Sequence, residues 1–258
     1  MSDATSAYRQ VRIVLVGTSH PGNIGAAARA MRTMGLEQLY LVAPERFPHA
    51  DASAMAAGAD QVLEQARVFA TLEEAVADCR WIMGCTARRR SVVMDEYAPG
   101  DAAARIWQAS AAGATALVFG RERTGLTNEE LKLCHAAVHI PSVEEFSSLN
   151  LAAAVQVLSW ELRREALARA ALAGEPVPQA PEDEPPATVA QMEGMFGHLE
   201  QMLDDIDFHK GRAPGTVMRR LRQLLLRAQP DQREVRVLRG IFADAQRMAR
   251  IARESGKA

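Results

Sequence analysis

Cysteine is scarce in this chain of 258 residues: Cys79, Cys85 and Cys134 stand at no paired or metal-like spacing. That excludes a disulfide framework and points to reduced thiols in a cytoplasm. The six histidines show no HExxH pattern, and the one HxxxH spacing, His135 to His139, falls in an apolar run that reads as a strand, which argues against a bound metal. No uninterrupted apolar run reaches the roughly 18 residues that a membrane span needs. Residues 1–10 are polar and lack the apolar core of a signal peptide. Neither a GxGxxG fingerprint nor a Gly followed by Lys-Ser/Thr is present, so dinucleotide and nucleoside-triphosphate folds lose weight. What remains, 48% hydrophobic and 24% charged residues, is the composition of a globular protein long enough for one ordinary domain and a small one.

The net charge of −2 hides a segregation. Residues 172–207 hold nine Asp/Glu and no Lys or Arg, whereas residues 208–258 hold thirteen Lys/Arg against four Asp/Glu. A basic tail on a nearly neutral body is the footprint of a polyanion partner, nucleic acid above all. Solvated helix faces with incidental charge are the plainer alternative.

Apolar runs at residues 11–16, 38–42, 67–70, 81–85, 114–119 and 136–140 read as strands. Helical patterns fall at residues 23–34, 51–57, 72–78, 101–111, 127–134 and 148–172, with Thr127 and Glu130 placed as a capping box. Strands alternating with helices imply an α/β fold, a mostly parallel sheet covered on both faces. Residues 173–187 are proline-rich and acidic and read as a linker. Beyond it, residues 188–206, 214–228 and 231–253 form three helical patterns, a small all-α domain over residues 188–258.

Three loops carry the chemistry. In Gly17-Thr-Ser-His-Pro-Gly-Asn-Ile-Gly-Ala-Ala-Ala-Arg29 a strand runs into a loop, and Asn23 is expected to open the helix that carries Arg29. Helix N-termini attract anions, although a capped helix with a surface arginine accounts equally for this pattern. In Val118-Phe-Gly-Arg-Glu-Arg-Thr-Gly-Leu-Thr-Asn-Glu-Glu-Leu131 a buried strand ends in two Gly, two Arg and a Glu. Glu122 is expected to pair with a neighbour. Glu129 and Glu130 suit a helix dipole. The third loop, Ile140-Pro-Ser-Val-Glu-Glu-Phe-Ser-Ser-Leu-Asn-Leu151, runs into a helix. Capping explains Ser147 there, and Ser148 and Asn150 less well if they lie inside the helix. Gly84-Cys-Thr-Ala87 ends a further strand and is followed by Arg88, Arg89 and Arg90.

Taken in order, Asn23-Ile-Gly-Ala-Ala-Ala-Arg29, Phe119-Gly-Arg-Glu-Arg-Thr-Gly-Leu126 and Ile140-Pro with Ser147-Ser-Leu-Asn-Leu151 resemble the three motifs of the SPOUT RNA methyltransferases, in the TrmH/TrmJ branch. The resemblance spans most of residues 11–165, and the basic helices beyond look like that branch's C-terminal extension. It implies a methyltransferase domain over residues 1–172 with a deep trefoil knot within about residues 80–165. It implies a homodimer whose active site is shared between subunits, and S-adenosylmethionine (SAM) as cofactor, without metal or membrane. It implies cofactor contacts at Cys85, Thr86, Ala87, Gly120, Ile140, Ser147, Ser148 and Leu149. Arg29, Ser148, Asn23, Glu122 and Asn150 are the implied catalytic set. The implied reaction is 2′-O-methylation of cytidine or uridine at position 32 of the tRNA anticodon loop. A ribosomal-RNA methylase of the same branch and a non-catalytic RNA-binding module are the competing readings.

Overall fold

The computed structural model describes residues 11–87, 94–143, 145, 148–172, 185–209 and 214–255. The chain divides into two compact units between Gln179 and Ala180. Residues 173–184, most of the expected linker, lie outside the described residues.

The first unit is built on β1 (Val11–Val16), β2 (Gln38–Val42), β3 (Arg67–Phe69), β4 (Trp81–Thr86), β5 (Asp95–Tyr97), β6 (Thr115–Phe119) and β7 (Ala136–His139). They form one sheet in the order β3-β2-β1-β6-β4-β7-β5, and every pairing is parallel. Alternate residues of a strand face opposite sides. Ile13, Leu15, Leu117 and Phe119 are buried on one face, and Val14, Val16, Ala116 and Val118 on the other. Both faces are therefore covered, which is why these strands read as continuous apolar runs.

The connections are α1 (Pro21–Thr33), α2 (Ala50–Ala56), α3 (Asp60–Glu64), α4 (Leu72–Val76), α5 (Pro99–Ser110), α6 (Asn128–Lys132) and α7 (Leu151–Leu172). Helix α1 packs against α2 and α7, and α5 packs against α7. Sequence reasoning passed over β5 and α3. Strand β5 is three polar or aromatic residues on the sheet's edge, too short and polar for an apolar pattern to mark it. Helix α7 begins at Leu151 rather than at Ser148.

Because every strand runs the same way, the unit has two chemically distinct ends. At the N-terminal ends of the strands, Arg12 makes a bidentate pair with Asp78 at 2.5 Å and lies over the Tyr40 ring at 4.8 Å. Nearby, His135 Nδ1 accepts the Ile82 N–H at 3.2 Å, the His135 ring lies 4.7 Å from that of Trp81, and Arg105 covers Trp81 at 4.4 Å. Burial, helped by Arg105, pushes the His135 pKa down to about 4. The C-terminal ends carry the loops that hold the three motifs, where open parallel sheets place their ligands.

The second unit contains α8 (Val189–Asp205), α9 (Pro214–Ala228) and α10 (Gln232–Ser255). Thr188 and Gln191 form a capping box on α8. Met192, Met195, Phe196, Leu199, Leu226, Val235 and Phe242 are among its core residues. Arg222 pairs with Glu193 and lies over Phe196 at 4.3 Å.

Candidate active site

A cavity of about 360 Å³ opens at the C-terminal ends of β4, β6 and β7. That volume falls in the usual range for small-molecule sites. Its walls come from Cys85, Thr86 and Ala87 after β4, from Phe119 to Leu126 after β6, and from Ile140, Ser148, Leu149, Leu151 and Ala154 around the start of α7. Every expected cofactor residue among the described residues lies on it; Ser147 lies outside them.

The loop after β6 folds back on itself. Arg121 and Gly125 exchange main-chain hydrogen bonds, 3.2 Å from the Arg121 N–H and 2.8 Å from the Gly125 N–H. A Cβ on Gly120 would fall 2.1 Å from the Gly125 carbonyl carbon and 2.2 Å from the Leu126 nitrogen, so the closure needs glycine there. Gly17, at φ +59°, faces Arg121, whose Nε would sit 2.8 Å from an added Cβ.

The three charges of this loop have three fates. Arg121 is held by both carboxylate oxygens of Glu130, at 3.0 and 3.1 Å. Glu130 also closes the expected capping box with Thr127, so it does more than favour a dipole. Glu122 does not pair with a neighbouring arginine as expected. Its oxygens accept from the Ser19 N–H and Oγ, the His20 N–H and the Asn23 amide, at 3.1 to 3.2 Å. Burial works to raise its pKa, but the bonds from Asn23 and from main-chain N–H groups prevail and hold it below the usual carboxylate value. Arg123 is exposed on the cavity rim.

Asn23 is not the residue that opens α1. The helix starts at Pro21 after His20, since a proline at N1 has its φ already set. The Asn23 side chain instead joins the motifs: its Nδ2 donates to Glu122, and its Oδ1 accepts from Asn150 Nδ2 at 3.0 Å. Asn150 Oδ1 in turn accepts from the Ala152 and Ala153 N–H groups at 2.9 and 3.4 Å. Capping therefore accounts for Asn150, because α7 starts one residue later than it. One chain of side-chain bonds thus ties the first turn of α1, the loop after β6 and the start of α7, across 127 residues of sequence. Of the expected set, Glu122 and Ser148 line the cavity, Asn23 and Asn150 belong to the bonded chain but not to the wall, and Arg29, exposed on α1, belongs to neither.

The walls suit an adenosine-type cofactor. Phe119, Leu126, Ile140, Leu149, Leu151 and Ala154 provide apolar surface beside the main chain of Thr86, Ala87 and Gly120. Burial pushes the Cys85 thiol up to about 12, so it is a neutral wall and not a nucleophile. With Arg121 matched by Glu130 and the Glu122 carboxylate on the same wall, a cationic donor is not repelled from the interior. Among the described residues no cluster of His, Cys, Asp and Glu could hold a metal ion, and no helix is long and apolar enough to cross a membrane.

An all-parallel sheet with a cavity at the C-terminal ends of its strands is the arrangement in which open α/β folds bind small ligands. Residues 10–160 match the SpoU rRNA Methylase family, and the chain belongs to that family, within its TrmJ group. Residues 190–254 match the tRNA methyltransferase TrmJ C-terminal domain. The chain is 47% identical over 248 residues to the tRNA (cytidine/uridine/adenosine-2′-O-)-methyltransferase TrmJ of Pseudomonas aeruginosa, covering 93% of this chain and 95% of the relative. It is 44% identical to the tRNA (cytidine/uridine-2′-O-)-methyltransferase TrmJ of Yersinia pestis, with 92% and 91% covered. Among solved structures, TrmJ from Z. mobilis ZM4 superposes with a TM-score of 0.76 at 38% identity, covering 90% of this chain and 97% of that one.

Proposed function

We propose that this protein methylates the ribose 2′-hydroxyl of cytidine or uridine at position 32 of the tRNA anticodon loop, with SAM as donor. The observation that carries the reading is the cavity into which Cys85–Ala87, Gly120–Leu126, Ile140 and Ser148–Leu149 converge, with its Glu122 wall tied through Asn23 to Asn150. The names of the relatives supply the substrate class. The C-terminal match to a tRNA methyltransferase domain favours tRNA over ribosomal RNA.

SAM bound in this cavity supplies a methyl group on a sulfonium, already activated for displacement. The protein's task is to align the ribose oxygen and help its proton leave. Alignment of this kind is worth about 7–11 kcal/mol of barrier. Main-chain groups of Thr86, Ala87, Gly120 and Ile140 hold the adenosine, with Ser147 and Leu149. Ser148, exposed on the cavity wall, orients the 2′-hydroxyl. Glu122, on the wall, and Asn150, behind it, fix the first turn of α1 and the start of α7.

Arg29 does not line this chain's own cavity, which supports a homodimer in which it serves the partner's. Trp160 and Leu167, half exposed on the α7 that packs against α1, are the apolar surface for that contact. A guanidinium has no acceptor with which to take a proton; its role is to hold the adjacent phosphate and stabilise the developing alkoxide. The basic helices α9 and α10 supply further affinity for phosphates. We carry the trefoil knot over about residues 80–165 and the domain limits 1–172, 173–187 and 188–258 as part of this reading.

The test is mass spectrometry of purified tRNA after incubation with the protein and SAM. A 2′-O-methyl group mapped to nucleotide 32 is the expected result; methylation elsewhere, or none, overturns the reading. Arg29→Ala is expected to abolish transfer while calorimetry still shows SAM binding. Full transfer by that variant removes Arg29 from the site.

A further inference from the structure

The loop after β6 presents Arg121, Glu122 and Arg123 in succession, and the bonding pattern separates them. Arg121 is neutralised by Glu130. Glu122 is committed to the first turn of α1. Arg123 lines the same cavity, is exposed, and makes no hydrogen bond or ion pair with any other described residue. Its charge is therefore available at the rim, where a substrate must enter. The other guanidinium on the wall, Arg121, is matched by Glu130, whereas Arg123 offers an unmatched planar fork of donors. A guanidinium in that position matches a phosphodiester, which it can grip through two parallel N–H bonds.

We propose that Arg123 binds the RNA phosphodiester beside the nucleotide being methylated, and so sets how far the target ribose reaches into the cavity. This rests on the RNA-methylating reading of the site. The carboxylate of the bound donor is the competing anion, and the SAM-affinity arm of the test separates the two. Arg123 is exposed on the cavity wall and has no counter-charge among the described residues. A ribose held at the cavity mouth has its own 3′-phosphate within a few bonds of the reacting oxygen. A fixed charge at the rim therefore acts on the reacting nucleotide itself. Arg123 is a substrate-positioning residue distinct from Arg29, which comes from the partner in the dimer reading.

The experiment compares the full-length protein with Arg123→Ala and Arg123→Lys. Three quantities are read: SAM affinity by calorimetry, the tRNA KM and kcat, and the salt dependence of tRNA binding. For Arg123→Ala, SAM affinity and the unfolding midpoint stay at wild-type values, because the side chain makes no hydrogen bond or ion pair with another described residue. The tRNA KM rises about tenfold, as expected for one lost charge-assisted contact. The slope of log affinity against log salt falls by about 0.7, the value for one phosphate contact on a single strand. Arg123→Lys restores the salt slope but not the whole of the KM, since it keeps the charge and loses the fork. An unchanged tRNA KM and slope overturn the proposal. So does a loss of SAM affinity with tRNA binding intact, which would assign Arg123 to the donor's carboxylate. The wild-type protein run in parallel separates this from failure of the underlying reading: if it binds and methylates no tRNA, the function is wrong whatever Arg123 does.

Discussion

Replacing Glu122 by alanine removes the acceptor at the centre of the site. Four donors are then left unmatched: the Ser19 N–H and Oγ, the His20 N–H and the Asn23 amide. Hydrogen bonds to a charged group are worth about 1.5–3 kcal/mol each, but water reaches this half-buried carboxylate and replaces part of that. The lost charge near the α1 N-terminus adds about 0.3–1 kcal/mol. We expect a net destabilisation of the first unit of about 2–3 kcal/mol, read by calorimetry as a fall of about 5–10 °C in its midpoint. Glu122→Gln keeps one oxygen and costs about half as much; its amide is best turned toward Ser19, whose hydroxyl can reverse and accept. The pKa of Glu122 is lowered in the folded protein, so its contribution is present above the ordinary value of 4.5 and is lost as pH falls through the folded value. The gap between wild type and Glu122→Ala should therefore close in acid. A Glu122→Ala midpoint within about 1 °C of wild type at neutral pH, or a gap that widens in acid, refutes the claim that this carboxylate anchors α1.

Two more outcomes follow from the packing. Gly120→Ala must push apart backbone atoms 2.1 and 2.2 Å from its new Cβ; overpacking of that kind costs about 1–3 kcal/mol or more, and SAM affinity measured by calorimetry should fall with it. His135 is held neutral, with its pKa at about 4 in the fold against an ordinary 6.5. Below pH 6.5 the unfolded chain takes up a proton that the native one refuses, so stability falls as pH drops from 6.5 toward 4, by about 3 kcal/mol in all. Urea midpoints at several pH values should show this loss in wild type and not in His135→Gln; equal slopes would refute it.

The strands that form the sheet's centre were legible because each is buried on both faces: Val11–Val16 and Gln38–Val42 have the bounds their apolar runs suggest. Strand β5 was not, because Asp95 and Glu96 owe their extended form to pairing with β7, not to any local pattern. The strand order was also illegible, since nothing local says that β1 lies between β2 and β6. At the site, the motif resemblance named the residues, but their bonding had to come from the structure. Glu122 was expected to find a partner next door and finds Ser19, His20 and Asn23 about 100 positions away. Local charge pattern favours i±1 and i±4 explanations and cannot see such a pair. For the same reason Arg121, whose partner Glu130 lies on the next helix, could not be told from Arg123.

The opposed ends of the parallel sheet have a practical consequence. Arg12, Asp78, Trp81, Arg105 and His135 are gathered at the end remote from the cavity. Thermal tolerance can therefore be tuned by redesigning that floor, for instance by giving an acceptor to Trp81 Nε1, which has none among the described residues, with little effect on turnover. The loops above are the reverse: the same side chains both stiffen them and shape the ligand's berth, so robustness and chemistry cannot be adjusted there one without the other.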